Sequence, residues 1–245
     1  MIELVLIGIG TGHPDHLTLQ GVRALQEADL VLIPMKGEDK EDLAGLRQQM
    51  LARHGARAVL APFDLPRREA DDPDYLGAVE RWHDAISRAW ADQIAQHLPG
   101  GGRVALLVWG DPMLYDSSLR IAARLPVRVR VIPGITAIQA LCAAHAIPLN
   151  SLASPVTITT GRQLRDHGWP EGARRVVVML DGACAFRTLP ASNLLIWWGA
   201  FLGMPQQILD HGPLEEAGPR IVAARAEARA AHGWIMDCYL LARPD

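Results

Sequence analysis

The chain is poor in the features that mark special environments. It has three cysteines in 245 residues, Cys142, Cys184 and Cys238. They lie far apart and at no metal-ligand spacing. An odd, scattered set predicts a reduced, cytoplasmic protein with no disulfide framework and no metal centre. Charge of one sign is lacking too: the formal net charge is -3, and no basic block stands out. Nucleic acid is therefore not an expected partner. Every apolar run is broken by Gly, Pro or a charge within about ten residues, well short of the ~20 that a membrane span needs. Met1-Ile2-Glu3 runs directly into strand-like sequence, which predicts no signal peptide. No internal repeat and no low-complexity segment occurs. What remains is a soluble globule, 49% hydrophobic, with enough apolar residues for one large core or two small ones.

Against that background one stretch stands out, Trp109-Gly110-Asp111-Pro112, at the end of the apolar run Val104 to Val108. A short, uncharged run of this kind reads as a buried strand of a parallel sheet. In open α/β sheets, ligands bind at the carboxyl ends of such strands. Two more strands end in glycine: Ile7-Gly8-Ile9-Gly10-Thr11-Gly12 and Ile132-Pro133-Gly134-Ile135-Thr136-Ala137.

Taken in order, residues 2–7 make a first strand. Thr18 caps a helix carrying Leu19, Val22, Leu25 and Ala28 on one face, and 30–33 is a second strand. Strand, helix, strand implies a right-handed parallel crossover. A charged stretch from Lys36 to Asp42 precedes a helix with Leu43, Leu46 and Met50, and 58–61 is a short strand. A long helix then repeats Leu76, Val79, Trp82, Ile86 and Trp90 at helical spacing, with Trp82 and Trp90 in the core, and stops at Pro99-Gly100. Helices over 117–124 and 135–146 flank a strand at 127–132. Alternation throughout this half argues an α/β domain with a mostly parallel sheet over residues 1–147. Pro148 to Leu152 reads as the hinge. Five strands follow, at 156–160, 175–180, 194–198, 220–223 and 234–241, with Trp197 and Trp198 on opposite faces of the third. The last two are spaced to pair antiparallel. This predicts a second α/β domain with a mixed sheet over 152–245.

The first glycine loop invites a dinucleotide-binding reading, but the fingerprint's third glycine is replaced by His13. The acidic residue wanted on the ribose fails too, since Asp29 precedes the second strand instead of ending it. A phosphate loop is excluded because no Gly-Lys-Ser/Thr follows.

Together these motifs resemble the tetrapyrrole methylases, which methylate corrin and sirohaem precursors with S-adenosylmethionine. The family's Gly-x-Gly-Pro-Gly and Leu-Thr-Leu appear as Gly8 to Gly12 and Leu17-Thr18-Leu19. Its Gly-Asp-Pro is residues 110–112 and its Pro-Gly-Ile-Thr is 133–136. Ala146 to Leu149 and Thr159 to Arg162 are similar to its hinge landmarks. Thr11 replaces the family's proline, His13 stands where relatives have Asp, and Trp109 where many have Gly. The resemblance implies two α/β domains with the cofactor in a cleft between them, a homodimer, and a tetrapyrrole (precorrin) substrate. Details such as Pro14-Asp15-His16, Lys36-Gly37-Glu38 and Val178 to Asp181 are similar to a member that methylates precorrin-5 at ring carbon 1, releases acetate and yields precorrin-6A. Another corrinoid or sirohaem C-methyltransferase, a nicotinamide-dependent reductase of the pathway and a non-catalytic tetrapyrrole carrier are the alternatives.

Methyl transfer from a sulfonium needs alignment in a dry pocket more than strong acids, so glycines and main-chain groups suit it. By position in the family pattern, the cofactor residues are Thr11, Trp109, Gly110, Asp111, Leu114, Thr136 and Ala137. Met179 or Leu180, and Gly199 or Ala200, join them from the second domain. Asp111 is expected to accept from the ribose hydroxyls or pair with the amino group. The substrate's carboxylates call for cations, with Arg162, Arg165, Arg120 and Lys36 as candidates. Release of an acetyl group asks for a general base, and the cluster His13-Pro14-Asp15-His16 supplies the catalytic candidates His13 and Asp15.

Overall fold

The computed structural model describes residues 1–35, 41–54, 57–67 and 74–244, with the backbone alone at 41–44. Lys36 lies outside the described residues, and the Leu43 side chain is not described. The chain divides into two compact units, Met1–Thr136 and Ala137–Asp245. Among the described residues, no helix is long and apolar enough to cross a membrane.

Unit 1 alternates strand and helix: β1 (Ile2–Gly8), α1 (Leu19–Gln26), β2 (Leu30–Met35), α2 (Glu41–His54), β3 (Val59–Asp64), α3 (Tyr75–His97), β4 (Gly102–Val108), α4 (Ser118–Ala122) and β5 (Arg128–Ile132). The strands form one parallel sheet in the order β3-β2-β4-β1-β5. Both faces are covered, which is why the strands read as unbroken apolar runs. Val5, Ile7, Val31, Ile33, Ala105 and Leu107 face α1 and α2 on one side. Leu4, Leu6, Leu30, Leu32, Val104 and Leu106 face Ile86, Trp90 and Ile94 of α3 and Ile121 of α4 on the other.

Local signals explain the helix starts. The Thr18 side chain accepts from Gly21 N at 3.0 Å, and the Asp74 carboxylate accepts from Gly77 N at 2.9 Å. Two details differ from the sequence expectation. Leu19 and Leu76 are each 74% exposed, because the buried faces of α1 and α3 centre on Ala24–Leu25 and on Ile86–Trp90, and both leucines point away from them. Trp82 is half-buried, with its indole N–H donating to Pro66 O at 2.7 Å, while Trp90 is buried.

Unit 2 comprises α5 (Ala137–Ala144), β6 (Thr157–Thr160), α6 (Gly161–His167), β7 (Arg175–Met179), β8 (Leu195–Ala200), β9 (Ile208–Pro213), α7 (Leu214–His232) and β10 (Asp237–Ala242). Its sheet runs β6-β7-β10-β8-β9. β6 and β7 are parallel, and the other pairs are antiparallel. The division at Thr136/Ala137 falls ahead of the Pro148 hinge read from the sequence. α5 buries Ile138, Leu141 and Cys142, and Leu141 packs close to Gly199 of β8, so the helix groups with the second sheet.

One strand expectation is corrected. Residues 220–223 lie inside α7, whose buried Leu214, Ala217, Gly218 and Ile221 follow helical spacing. Three apolar residues, Ile221 to Ala223, cannot alone distinguish strand from helix. The expected antiparallel pairing of 220–223 with the final strand is therefore absent: β10 pairs antiparallel with β7 and β8, and the other neighbour of β8 is β9, in which His211 pairs with Trp197.

Candidate functional site

All strands of unit 1 are parallel, so their carboxyl ends share one edge of the sheet. β4, β1 and β5 are adjacent there, and each runs into one of the glycine segments. Three stretches distant in sequence therefore meet. Gly110 N donates to Gly10 O at 2.8 Å and Gly10 N to Gly110 O at 3.2 Å, an antiparallel bridge beyond the parallel ladder. Asp111, 8% exposed, ties in the third segment. Its Oδ2 accepts from Gly134 N and its Oδ1 from Met113 N, each at 2.7 Å. The carboxylate thus satisfies two backbone donors that would otherwise face one another unpaired, and each oxygen keeps one further acceptor position.

Two glycines are required here for different reasons. A Cβ on Gly134 would lie 2.2 Å from Gly110 O and 2.7 Å from Gly8 C, so the loops could not close around any larger residue. Gly110 has φ +66°, and a Cβ there would point into open space, with none of the described residues within 4 Å. That open direction, above two backbone-bonded loops, is a place for a ligand to approach the main chain.

The other candidates of these segments lie along the same three stretches of chain. Thr11 is buried, with Oγ1 3.4 Å from His16 Nδ1. Trp109 is half-buried against the core under α1 and α2. Leu114 is half-buried, and its N–H donates to Asp111 O at 3.3 Å. Thr136 and Ala137 are half-buried at the start of α5.

In unit 2, Met179 is the half-buried last residue of β7. Leu180 follows with φ +53° and is 66% exposed. A branched side chain in the left-handed region, held out from the core, carries a cost of about 1–2 kcal/mol that packing does not recover. Gly199 and Ala200 end β8. The Cβ direction of Gly199 is filled by Leu202, and Ala200 is fully buried, so both have only main-chain groups to offer.

The loop after β1 forms a short 3-10 turn, Pro14–His16. His13 caps it, with Nδ1 accepting from Asp15 N at 3.1 Å. Asp15 Oδ1 is paired with Arg53 of α2 at 2.7 Å, and the two side chains are more than half exposed. His16 is half-buried, and burial pushes its imidazole below the usual histidine range, helped by His13 and opposed by Asp15.

Among the cation candidates, Arg120 donates to Asp116 O, just ahead of its own helix α4, at 3.2 Å. Arg162 is exposed on α6, and Arg165 pairs with Asp166 at 3.0 Å. A cation absent from the sequence candidates is Arg47 of α2. Its Nε donates to Leu107 O, at the carboxyl end of β4, at 3.3 Å. Burial lowers its pKa, against the pull of Asp116. A lone Arg between Leu46 and Met50 on an otherwise apolar helical face was the available signal.

Residues 3–218 match the family described as Tetrapyrrole (Corrin/Porphyrin) Methylases. The chain is 44% identical to a precorrin-6A synthase [deacetylating] from Sinorhizobium sp, across 98% of this chain and 95% of that one. It superposes with TM-score 0.86 and 39% identity on the structure of a putative cobalamin synthesis related protein (CobF) from Corynebacterium diphtheriae, covering both chains fully. The fold alone is shared with a uroporphyrin-III C-methyl transferase from Thermus thermophilus complexed with S-adenyl homocysteine, at TM-score 0.62 and 20% identity over 98% of this chain and 97% of that one. Three glycine-ended strands joined by the Gly10–Gly110 bridge and the Asp111 carboxylate, in the order and spacing of the family pattern, agree with these matches: the chain belongs to the tetrapyrrole (corrin/porphyrin) methylases.

Proposed function

We propose that this protein is the S-adenosylmethionine-dependent C-methyltransferase that converts precorrin-5 into precorrin-6A in aerobic cobalamin synthesis, methylating ring carbon 1 and releasing acetate. The observation that carries the reading is the 44% identity to a deacetylating precorrin-6A synthase over nearly the full length of both chains. It acts in the cytoplasm, as a homodimer.

The loops fit an adenosyl ligand. Gly110 leaves room beside the main chain where any side chain would intrude, and the half-buried Trp109 and Leu114 are its apolar neighbours in sequence. S-adenosylmethionine, when bound, supplies an electrophilic methyl group on a sulfonium. The chain's own task is alignment and exclusion of water, because positive charge is spread and lost along an in-line displacement. The bridge between Gly10 and Gly110 and the Asp111 clamp make the loops rigid before any ligand arrives. Thr11, Thr136, Ala137, Met179, Leu180, Gly199 and Ala200 complete the cofactor set. Arg120, Arg162 and Lys36 serve the substrate's carboxylates.

The test is mass spectrometry of the products from precorrin-5 and S-adenosylmethionine. One methyl gained and one acetate released per turnover is the expected result. A product that gains the methyl and keeps the two-carbon fragment would assign the protein to another methylation of the pathway. Binding of NADH without binding of S-adenosylhomocysteine would make it a reductase.

A further inference from the structure

Acetyl release needs a group that takes a proton from water, and the site offers three candidates in one turn. Asp15 is committed to Arg53 and lies in solvent. The acceptor nitrogen of His13, Nδ1, is already used as the cap of the turn, which leaves the proton on Nε2. His16 is different. Its ring is half-buried against Gly10, whose Cβ position lies 2.3 Å from His16 Cβ, and so sits beside the Gly10–Gly110 bridge. Its Nδ1 lies 3.4 Å from Thr11 Oγ1, and in the tautomer in which Nδ1–H donates to that hydroxyl the lone pair is on Nε2, which has no hydrogen-bond partner among the described residues.

We propose that His16 is the general base of the deacetylation, oriented by Thr11. This rests on the function proposed above. Nε2 takes a proton from water as the water oxygen bonds to the acetyl carbonyl carbon. The bond from that carbon to the ring then breaks, and acetic acid leaves. The bonding pair enters the conjugated ring and is taken up in the new ring carbon–methyl bond. His16 returns its proton to solvent. Burial keeps the imidazole neutral at physiological pH, the state a base needs, and the nearby His13 acts in the same direction.

The experiment measures acetate release and methyl transfer separately, with precorrin-5 and S-adenosylmethionine, for the wild type, His16→Gln and Thr11→Val. His16→Gln is expected to bind S-adenosylhomocysteine normally by calorimetry and to release acetate roughly a hundredfold more slowly. Added imidazole should restore part of the rate. In the wild type, acetate release should fall along an acid limb centred below pH 6.5, the ordinary histidine value from which this group is lowered. Thr11→Val should slow acetate release about tenfold while retaining that limb, as for loss of an orienting hydrogen bond. If the wild type releases acetate and His16→Gln releases it equally fast, the assignment to His16 is overturned and the function stands. A wild-type acid limb centred above pH 6.5 overturns it as well, even if the variant does not fold, because burial can only lower this imidazole. If the wild type transfers methyl and releases no acetate, the function proposed above fails and the role of His16 goes with it.

Discussion

Replacing Gly134 by alanine tests the convergence of the three loops. The added Cβ would meet Gly110 O at 2.2 Å, Gly8 C at 2.7 Å and Gly8 Cα at 2.8 Å, all of them backbone. None can rotate away as a side chain could, so the loops after β1 and β4 must part from the loop after β5 by on the order of 1 Å. Overpacking of this kind costs about 1–3 kcal/mol. Separation also lengthens the Gly134 N–H bond to Asp111 Oδ2, now 2.7 Å, and a buried charge-assisted bond is worth about 1.5–3 kcal/mol. The expected loss is about 3–5 kcal/mol, a large share of the 5–15 kcal/mol typical of a folded protein. With a urea slope of about 2–3 kcal/mol per molar, the midpoint should drop by roughly 1–2 M. Hydrogen exchange at β1, β4 and β5 would localise the loss to unit 1. Gly110→Ala is the matched control: its Cβ has open space, so only the left-handed φ is penalised, at about 1–2 kcal/mol. The control should stay folded and bind S-adenosylhomocysteine at least tenfold more weakly. Equal midpoints for Gly134→Ala and the wild type would refute the close approach of the three loops.

Asp111→Asn keeps the shape but turns an N–H2 toward one backbone donor, so stability should fall by about 2–3 kcal/mol and cofactor affinity with it; unchanged thermal melting would remove Asp111 as the clamp. His83, 2% exposed, has both ring nitrogens without hydrogen-bond partners among the described residues, so His83→Leu should stabilise the protein by about 1–2 kcal/mol at pH 8. Burial and Arg124 hold His83 below its ordinary 6.5, so it is neutral in both states above that pH. As pH falls below 6.5 the unfolded chain binds the proton first and stability is lost, until the folded-state pKa is passed. Urea melts from pH 8 to 5 should show a shallower decline in His83→Leu, and parallel curves would count against this. Leu180→Gly should raise stability by about 1 kcal/mol through relief of the left-handed φ and weaken S-adenosylhomocysteine binding; a gain in both would free Leu180 from any role in the site.

Much of unit 1 was legible because both faces of its parallel sheet are covered, so strands such as Val104 to Val108 carry apolar residues without interruption. The glycine segments could be read as strand ends for the same reason. Sequence could not show that Asp111 would spend its carboxylate on Gly134 and Met113, since that depends on β5 lying on the far side of β1 from β4. Unit 2 was harder. β9 lies at the sheet edge, with exposed Leu209 and His211 alternating with less exposed neighbours, and it has no apolar run to announce it. Ile221 to Ala224 do form such a run, yet the residue that settles their state is Leu214, a turn and more away on the same face of α7. The imidazole of His16 shows the same limit at the site: its adjacency to His13 is evident in sequence, while the difference in burial that separates them arises only when Gly10 packs against one of them.

The place of β10 in the second sheet bears on how the protein is made. Asp237–Ala242 leaves the ribosome after every other strand of its sheet, yet it lies in the middle, hydrogen-bonded to β7 on one side and β8 on the other. Until it emerges, β6 with β7 and β8 with β9 are two separate halves with unpaired inner edges. The first sheet needs nothing beyond β5 and can close early, whereas the second waits for nearly the whole chain. A nascent chain stalled shortly before residue 237 would therefore expose two sheet edges open to pairing with other chains, and loss of the final strand would remove the second sheet rather than trim it.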